Sequence, residues 1–182
     1  MSAAAITASP PIRVEEYLGN PAYARCEYVD GRVEPLNVGS KTHGRIQSLA
    51  SKYFVDYFLA HPIGYVGSEL HCRLKVGGRE RYRLPDLAVV IGDENPDEPY
   101  LHRAPDLAVE IRSPEDPLSA LVDKAREYLQ TGARQVWIVV PDEEAVWTLD
   151  AEGRVRVFRK GETVEGGDVL PGFTLAVDDL YR

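Results

Sequence analysis

The chain has 182 residues, of which 44% are hydrophobic and 27% charged, and its formal net charge is -8. That length and balance describe one globular domain with a real core, and the acidic excess argues against a large non-specific nucleic-acid surface. Cys26 and Cys72 are the only cysteines and lack metal-type spacing; no secretory segment follows Met1, and the longest apolar runs are of strand length, so the expectation is a free-thiol cytoplasmic protein without a membrane span.

Residues 1–11 are rich in Ala, Ser, Thr and Pro and read as a flexible arm ahead of a single domain over 12–182. Ile12 to Leu18 reads as a short turn of helix, closed by Gly19-Asn20-Pro21. Tyr23 to Pro35 reads as a hairpin, because Asp30-Gly31 between alternating runs is the strongest short hairpin signal. Ser40 to His61 has helical periodicity, with Ile46, Leu49, Ala50, Tyr53, Phe54, Tyr57 and Phe58 in one stripe that serves as core or as a dimer face. Tyr65 to Val76 alternates as one strand, ended by Gly77-Gly78. Leu87–Ile91 and Leu107–Ile111 are short buried strands, separated by the polar stretch Gly92–Pro99. Pro114 to Thr131 reads as a second helix, in which Leu118, Leu121, Val122, Ala125, Tyr128 and Leu129 share a face and Gly132 suits the cap. Gln135 to Val140 is apolar throughout, as in a strand buried on both faces. A last hairpin, Val146–Asp150 and Arg154–Arg159, turns at Glu152-Gly153 and leads to Leu170–Leu175. The order predicts an α/β (α+β) fold built on a mixed sheet.

Pro-Asp-Leu-Ala-Val occurs twice, at Pro85–Val89 and Pro105–Val109. In a symmetric hairpin the register that opposes Gly92 and Ala104 also opposes Asp86 and Glu110, on the same face of the sheet. Directly opposed residues have Cβ atoms roughly 5 Å apart, where like charges repel. Two carboxylates in that position call for a bridging cation or a shared proton. The plainer readings are that Asp86 opens its strand and that Glu110 forms a buried ion pair with Arg112 or Arg83. Arg73, Lys75, Arg79, Arg81 and Arg83 gather in one stretch, either as a backbone-contacting stripe or as a solvated edge strand.

These residues, with Tyr28-Val29-Asp30-Gly31, His43, Arg83–Asp86, Pro105–Pro114, Asp123-Lys124 and Leu170–Phe173, resemble the PD-(D/E)xK nuclease superfamily, and within it the Uma-two family of restriction-endonuclease-like proteins. The resemblance implies a restriction-endonuclease-like core of helix, three strands, helix and strand from about Ser40 to Val140, with flanking hairpins. It implies phosphodiester hydrolysis, with Asp86 and Glu110 holding Mg²⁺ (or Mn²⁺) and the Ile111 carbonyl as a further ligand. The pattern's lysine should stand two residues after the acid, where this chain has Arg112. Either Arg112 takes that role, or the lysine has moved to the next helix as Lys124, which flanks Leu121 and Tyr128 whereas Asp123 falls on the solvated face. Glu69 would supply an outer acid, His43 would face the same cleft, and Asp106 would be structural or a supporting partner. The implied partner is nucleic acid, with DNA the expected substrate, and a homodimer follows by analogy. The competing expectation is a catalytically silent module of the same fold, because Arg112 occupies the lysine slot and acidic loops at Asp93–Glu98 and Asp142–Glu144 would repel phosphate.

Overall fold

In the computed structural model, which describes residues 10–37, 39–92 and 98–182, a six-stranded and a four-stranded sheet meet where Cys72 and Leu74 of the smaller sheet pack with Ala88, Val90 and Ala108 of the larger. Most of the expected arm and of the acidic 93–98 loop lies outside the described residues. The elements in order are α1 (Val14–Gly19), β1 (Cys26–Val29), β2 (Arg32–Pro35), α2 (Lys41–Ala60), β3 (Gly64–Ser68), β4 (Cys72–Val76), β5 (Arg79–Arg83), β6 (Leu87–Ile91) and β7 (Leu107–Ile111). They continue as α3 (Leu118–Gln130), β8 (Gln135–Val140), β9 (Ala145–Asp150), β10 (Val155–Arg159), β11 (Thr163–Glu165) and β12 (Thr174–Ala176).

The central sheet runs β10-β9-β8-β7-β6-β3, and only its β7–β8 pair is parallel, with α3 as the crossover between those two strands. Strand parity divides its core. Leu87, Val89, Leu107, Val109, Trp137 and Val139 pack beneath α2, whereas Ala88, Val90, Ala108, Val136, Ile138 and Val140 pack beneath α3. The β6–β7 register is the one the twin motifs predict: Leu87 faces Val109, Ala88 faces Ala108 and Val89 faces Leu107.

Helix α2 starts where the Ser40 side chain accepts the His43 N–H, a cap worth about 1 kcal/mol. Its stripe is core: Phe54 is fully buried and stacks on Phe173, with centroids 4.8 Å apart, and Tyr57 Oη donates to the Pro171 carbonyl. The C-terminal Leu170–Phe173 turn therefore covers the face that the sequence left open to a second subunit.

Two expectations need correction. Tyr65 to Val76 is two strands in two sheets, since β3 edges the central sheet and β4 edges a second sheet of order β2-β1-β5-β4. The chain changes sheets at Glu69, whose φ of 49° is left-handed and breaks the extended run. Gly77 and Gly78, at φ 56° and 80°, then turn the β4–β5 hairpin, a conformation that suits glycine. The basic residues do not form one stripe: with Arg73 opposite Tyr82 and Leu74 opposite Arg81, Arg73 and Lys75 lie on one face of that hairpin and Arg79, Arg81 and Arg83 on the other. Among the described residues no helix is long and apolar enough to cross a membrane.

Candidate active site

Extending the β6–β7 register by one step sets Asp86 opposite Glu110, on the side of the sheet that faces α3. Asp86 is fixed from two elements. Its Oδ1 lies 2.9 Å from His43 Nε2 on α2, and its Oδ2 accepts the Ile111 N–H of β7 at 2.6 Å. Gln47, one turn beyond His43, donates to the Asp86 carbonyl at 2.9 Å. Of the expected Ile111 contribution, the contact present is this backbone N–H. His43 Nδ1 is buried without a hydrogen-bond partner among the described residues.

Glu110 is only 5% exposed. Tyr128 Oη donates to its Oε1 at 2.9 Å, and Lys124 Nζ donates to its Oε2 at 3.1 Å. Both donors come from α3, where positions four apart share a face, and burial of Leu121, Ala125 and Tyr128 turns that face to the sheet. Lys124 packs its stem at the edge of the stripe and brings its ammonium to the strand ends. The partners considered for Glu110 on sequence grounds lie elsewhere: Arg83 pairs with Glu27 at 2.6 Å and Glu127 at 2.9 Å, and Arg112 pairs with both Asp142 oxygens at 2.9 and 2.8 Å.

Glu27 of β1 is a residue that sequence reasoning missed. It is 5% exposed, lies 2.8 Å from Lys124 Nζ, and accepts the Leu84 N–H at 3.0 Å. It stands between Cys26 and Tyr28 in a short hairpin, where no motif singles it out. The available signal was Val29, an apolar residue of the same parity, which marks that face as covered too.

Burial, set against the nearby Lys124 ammonium and reinforced by the Asp86 and Glu27 charges, pushes the Glu110 carboxyl up to about 7. Burial also disfavours ionised Glu27, but Lys124 and Arg83 outweigh it and hold that carboxyl below its usual range. Lys124 is desolvated, yet Glu110 and Glu27 carry its ammonium above its usual value. The hydrogen bond to Asp86 raises the His43 imidazole, against its desolvation.

These groups line a cleft of about 890 Å³, in which Glu27, Glu34, Glu69, Asp86, Glu110, Asp116, Asp123 and Glu127 outnumber Arg25, Arg83 and Lys124. Glu69 stands on its rim, paired with Arg25 at 2.8 Å. Asp106 is drawn away, accepting from Arg103 at 3.0 Å and the Ile91 N–H at 2.9 Å. Thus Asp86, Glu110, Lys124, His43 and Glu69 share one cleft and Arg112 is committed to Asp142.

No group of three or more His, Cys, Asp or Glu side chains among the described residues is arranged as a ready metal cage. The donor set still suits Mg²⁺ or Mn²⁺. Hard carboxylate oxygens from Asp86 and Glu110 stand side by side, in a cleft with surplus negative charge, and Mg²⁺ takes one or two carboxylates and keeps its waters.

Comparison with known proteins bears on the family and the fold. Along 95% of its length the chain is 24% identical to an uncharacterised protein of Synechocystis sp., covering 93% of that protein. Its fold matches, with a TM-score of 0.82 and 24% identity, the crystal structure of a protein from Anabaena variabilis described as a putative nuclease belonging to DUF820, over 94% of this chain and 98% of that one. Residues 14–178 match the Uma2 family, described as putative restriction endonucleases, and the chain belongs to that family.

Proposed function

We propose that the protein is a Mg²⁺- or Mn²⁺-dependent nuclease that hydrolyses phosphodiester bonds in DNA, acting as a cytoplasmic enzyme. The observation that carries the reading is the convergence of Asp86, Glu110 and the Lys124 ammonium in one cleft. Asp86 and Glu110 would hold the cation, with the Ile111 carbonyl as a further oxygen. When bound, the cation supplies Lewis acidity and an acidified water for attack on the phosphate.

The chain's own side chains do the remaining work. Lys124 presents fixed positive charge where charge grows on the scissile phosphate, in a site largely shielded from water. Tyr128 and the Ile111 N–H lock the rotamers of Glu110 and Asp86, so their oxygens are oriented before any ligand arrives. His43 ties Asp86 to the first turn of α2 and offsets part of its charge. Glu69 is an outer acid at the rim.

The test is cleavage of an oligonucleotide with and without Mg²⁺ or Mn²⁺, by wild type, Asp86→Asn, Glu110→Gln and Lys124→Met. Each substitution should cost on the order of 100-fold or more in rate while the circular dichroism spectrum is unchanged. Wild-type activity in both Asp86→Asn and Glu110→Gln overturns the reading. The surplus of carboxylates in the cleft favours one alternative, a catalytically silent binding module, which predicts no cation-dependent cleavage by any of the four proteins.

A further inference from the structure

Two carboxylates are buried among the described residues, Glu110 and Glu27, and the proposed chemistry uses only the first. Removing a carboxylate from water costs several kcal/mol unless it is well paired. Arg83 at 2.6 Å and the Leu84 N–H at 3.0 Å already pair Glu27, so a purely structural role needs no third partner. The third partner is Lys124, whose Nζ sits between Glu27 Oε1 at 2.8 Å and Glu110 Oε2 at 3.1 Å.

That placement matters when a cation comes to Glu110. The ammonium and a divalent cation compete for the same carboxylate, and at contact distance they repel. An ammonium with Glu110 as its sole counter-charge would have to be stripped of it, leaving a buried unpaired charge. With Glu27 present, Lys124 keeps a carboxylate at its shorter contact and stays in the cleft. The same Glu27 carboxylate accepts the Leu84 N–H, two residues before Asp86, so it ties the segment carrying one acid to the helix carrying the lysine.

We propose that Glu27 is a positioning residue, which holds the Lys124 ammonium in the cleft so that Glu110 can give its charge to a divalent cation. The proposal rests on the metal-binding reading above, and the experiment separates the two. Mn²⁺ alone is titrated calorimetrically into wild type, Glu27→Gln, Lys124→Met and the double variant, a cycle that isolates the Glu27–Lys124 coupling. Glu27→Gln should weaken Mn²⁺ binding about 10-fold or more, the usual effect of losing a group that supports a ligand. Lys124→Met should not weaken it, and in that background Glu27→Gln should cost about 2-fold at most. Wild-type affinity in Glu27→Gln overturns the proposal. So does an equal loss with and without Lys124, because Glu27 would then be only a source of negative field. If Glu27→Gln does not fold, Glu27→Asp takes its place: it keeps the charge but draws it back by one methylene, and the same loss is expected, with wild-type affinity overturning the proposal. Absence of Mn²⁺ binding in all four proteins overturns the metal-binding reading itself, and this proposal with it.

Discussion

Replacing Glu110 by Gln separates a poised acid from an ordinary structural ion pair. In the folded protein burial holds the Glu110 proton up to about 7, whereas its ordinary value is 4.5. Between those values the unfolded chain binds fewer protons than the native state, so this group's contribution to stability falls as pH rises through that window. At about 1.4 kcal/mol for each factor of ten in the ionisation constant, the fall amounts to about 3 kcal/mol and levels off above about pH 7. Gln resembles the neutral acid and carries no such dependence. Its altered contacts with Tyr128 and with Lys124, which is charged throughout, offset the comparison by a constant, and the lesser pull of the Glu110 charge on the His43 imidazole adds a small change near the top of the window. The advantage of Glu110→Gln over wild type should therefore grow by about 3 kcal/mol from about pH 4.5 to about pH 7, or roughly 10 °C in Tm for a chain of this size. Thermal unfolding followed by circular dichroism in chelator, from about pH 5 to about pH 8, measures it. A gap that stays constant or narrows with rising pH would refute the reasoning, because Glu110 would then be held ionised as a stabilising partner of Lys124.

Lys124→Met should lower cleavage on the order of 100-fold or more, while Arg112→Ala, which breaks the half-exposed Asp142 pair and the Nε–H bond to the Asp116 carbonyl, should stay within about 3-fold and cost at most about 2 kcal/mol; single-turnover rates decide, and the reverse ranking gives the lysine role to Arg112. Arg73, Arg81 and Arg83 are already paired with Glu80, Asp30, Glu27 and Glu127, so binding of an oligonucleotide by Asp86→Asn should depend weakly on salt, with a log–log slope of about -1 to -2. A slope of about -5 or steeper in fluorescence anisotropy would mean a backbone-tracking surface that these pairs do not offer. Gly64→Ala should destabilise by more than about 2 kcal/mol in urea unfolding, because its Cβ would stand 2.0 Å from the Val90 carbonyl oxygen and 2.9 Å from Ile91 Cα. Gly67→Ala meets only Leu70 side-chain atoms at 3.6 Å or more and should cost less than about 1 kcal/mol.

The two acids were legible because a repeated Pro-Asp-Leu-Ala-Val and strict side-chain alternation set the β6–β7 register from local sequence alone. Lys124 came from the family resemblance, and helical spacing, which puts it beside Leu121 and Tyr128 at the margin of the buried stripe, agrees with where its ammonium lies. The break at Glu69 was not legible, because apolar alternation does not report the handedness of one non-glycine residue. Arg112 shows where parity lapses: two positions after Glu110 implies the same face only while the strand continues, and β7 ends at Ile111. Glu27 belongs to the second sheet and meets Lys124 only when that sheet docks on α3, an arrangement that no short-range pattern encodes.

The central claim is that Asp86 and Glu110 together bind a divalent cation. Calorimetric titration of Mn²⁺ into wild type and Glu110→Gln at about pH 8, with the fold of each checked by circular dichroism, tests it most directly. The account predicts saturable binding by wild type and none by Glu110→Gln. A folded wild type that takes up no Mn²⁺, or equal binding by both proteins, would contradict it.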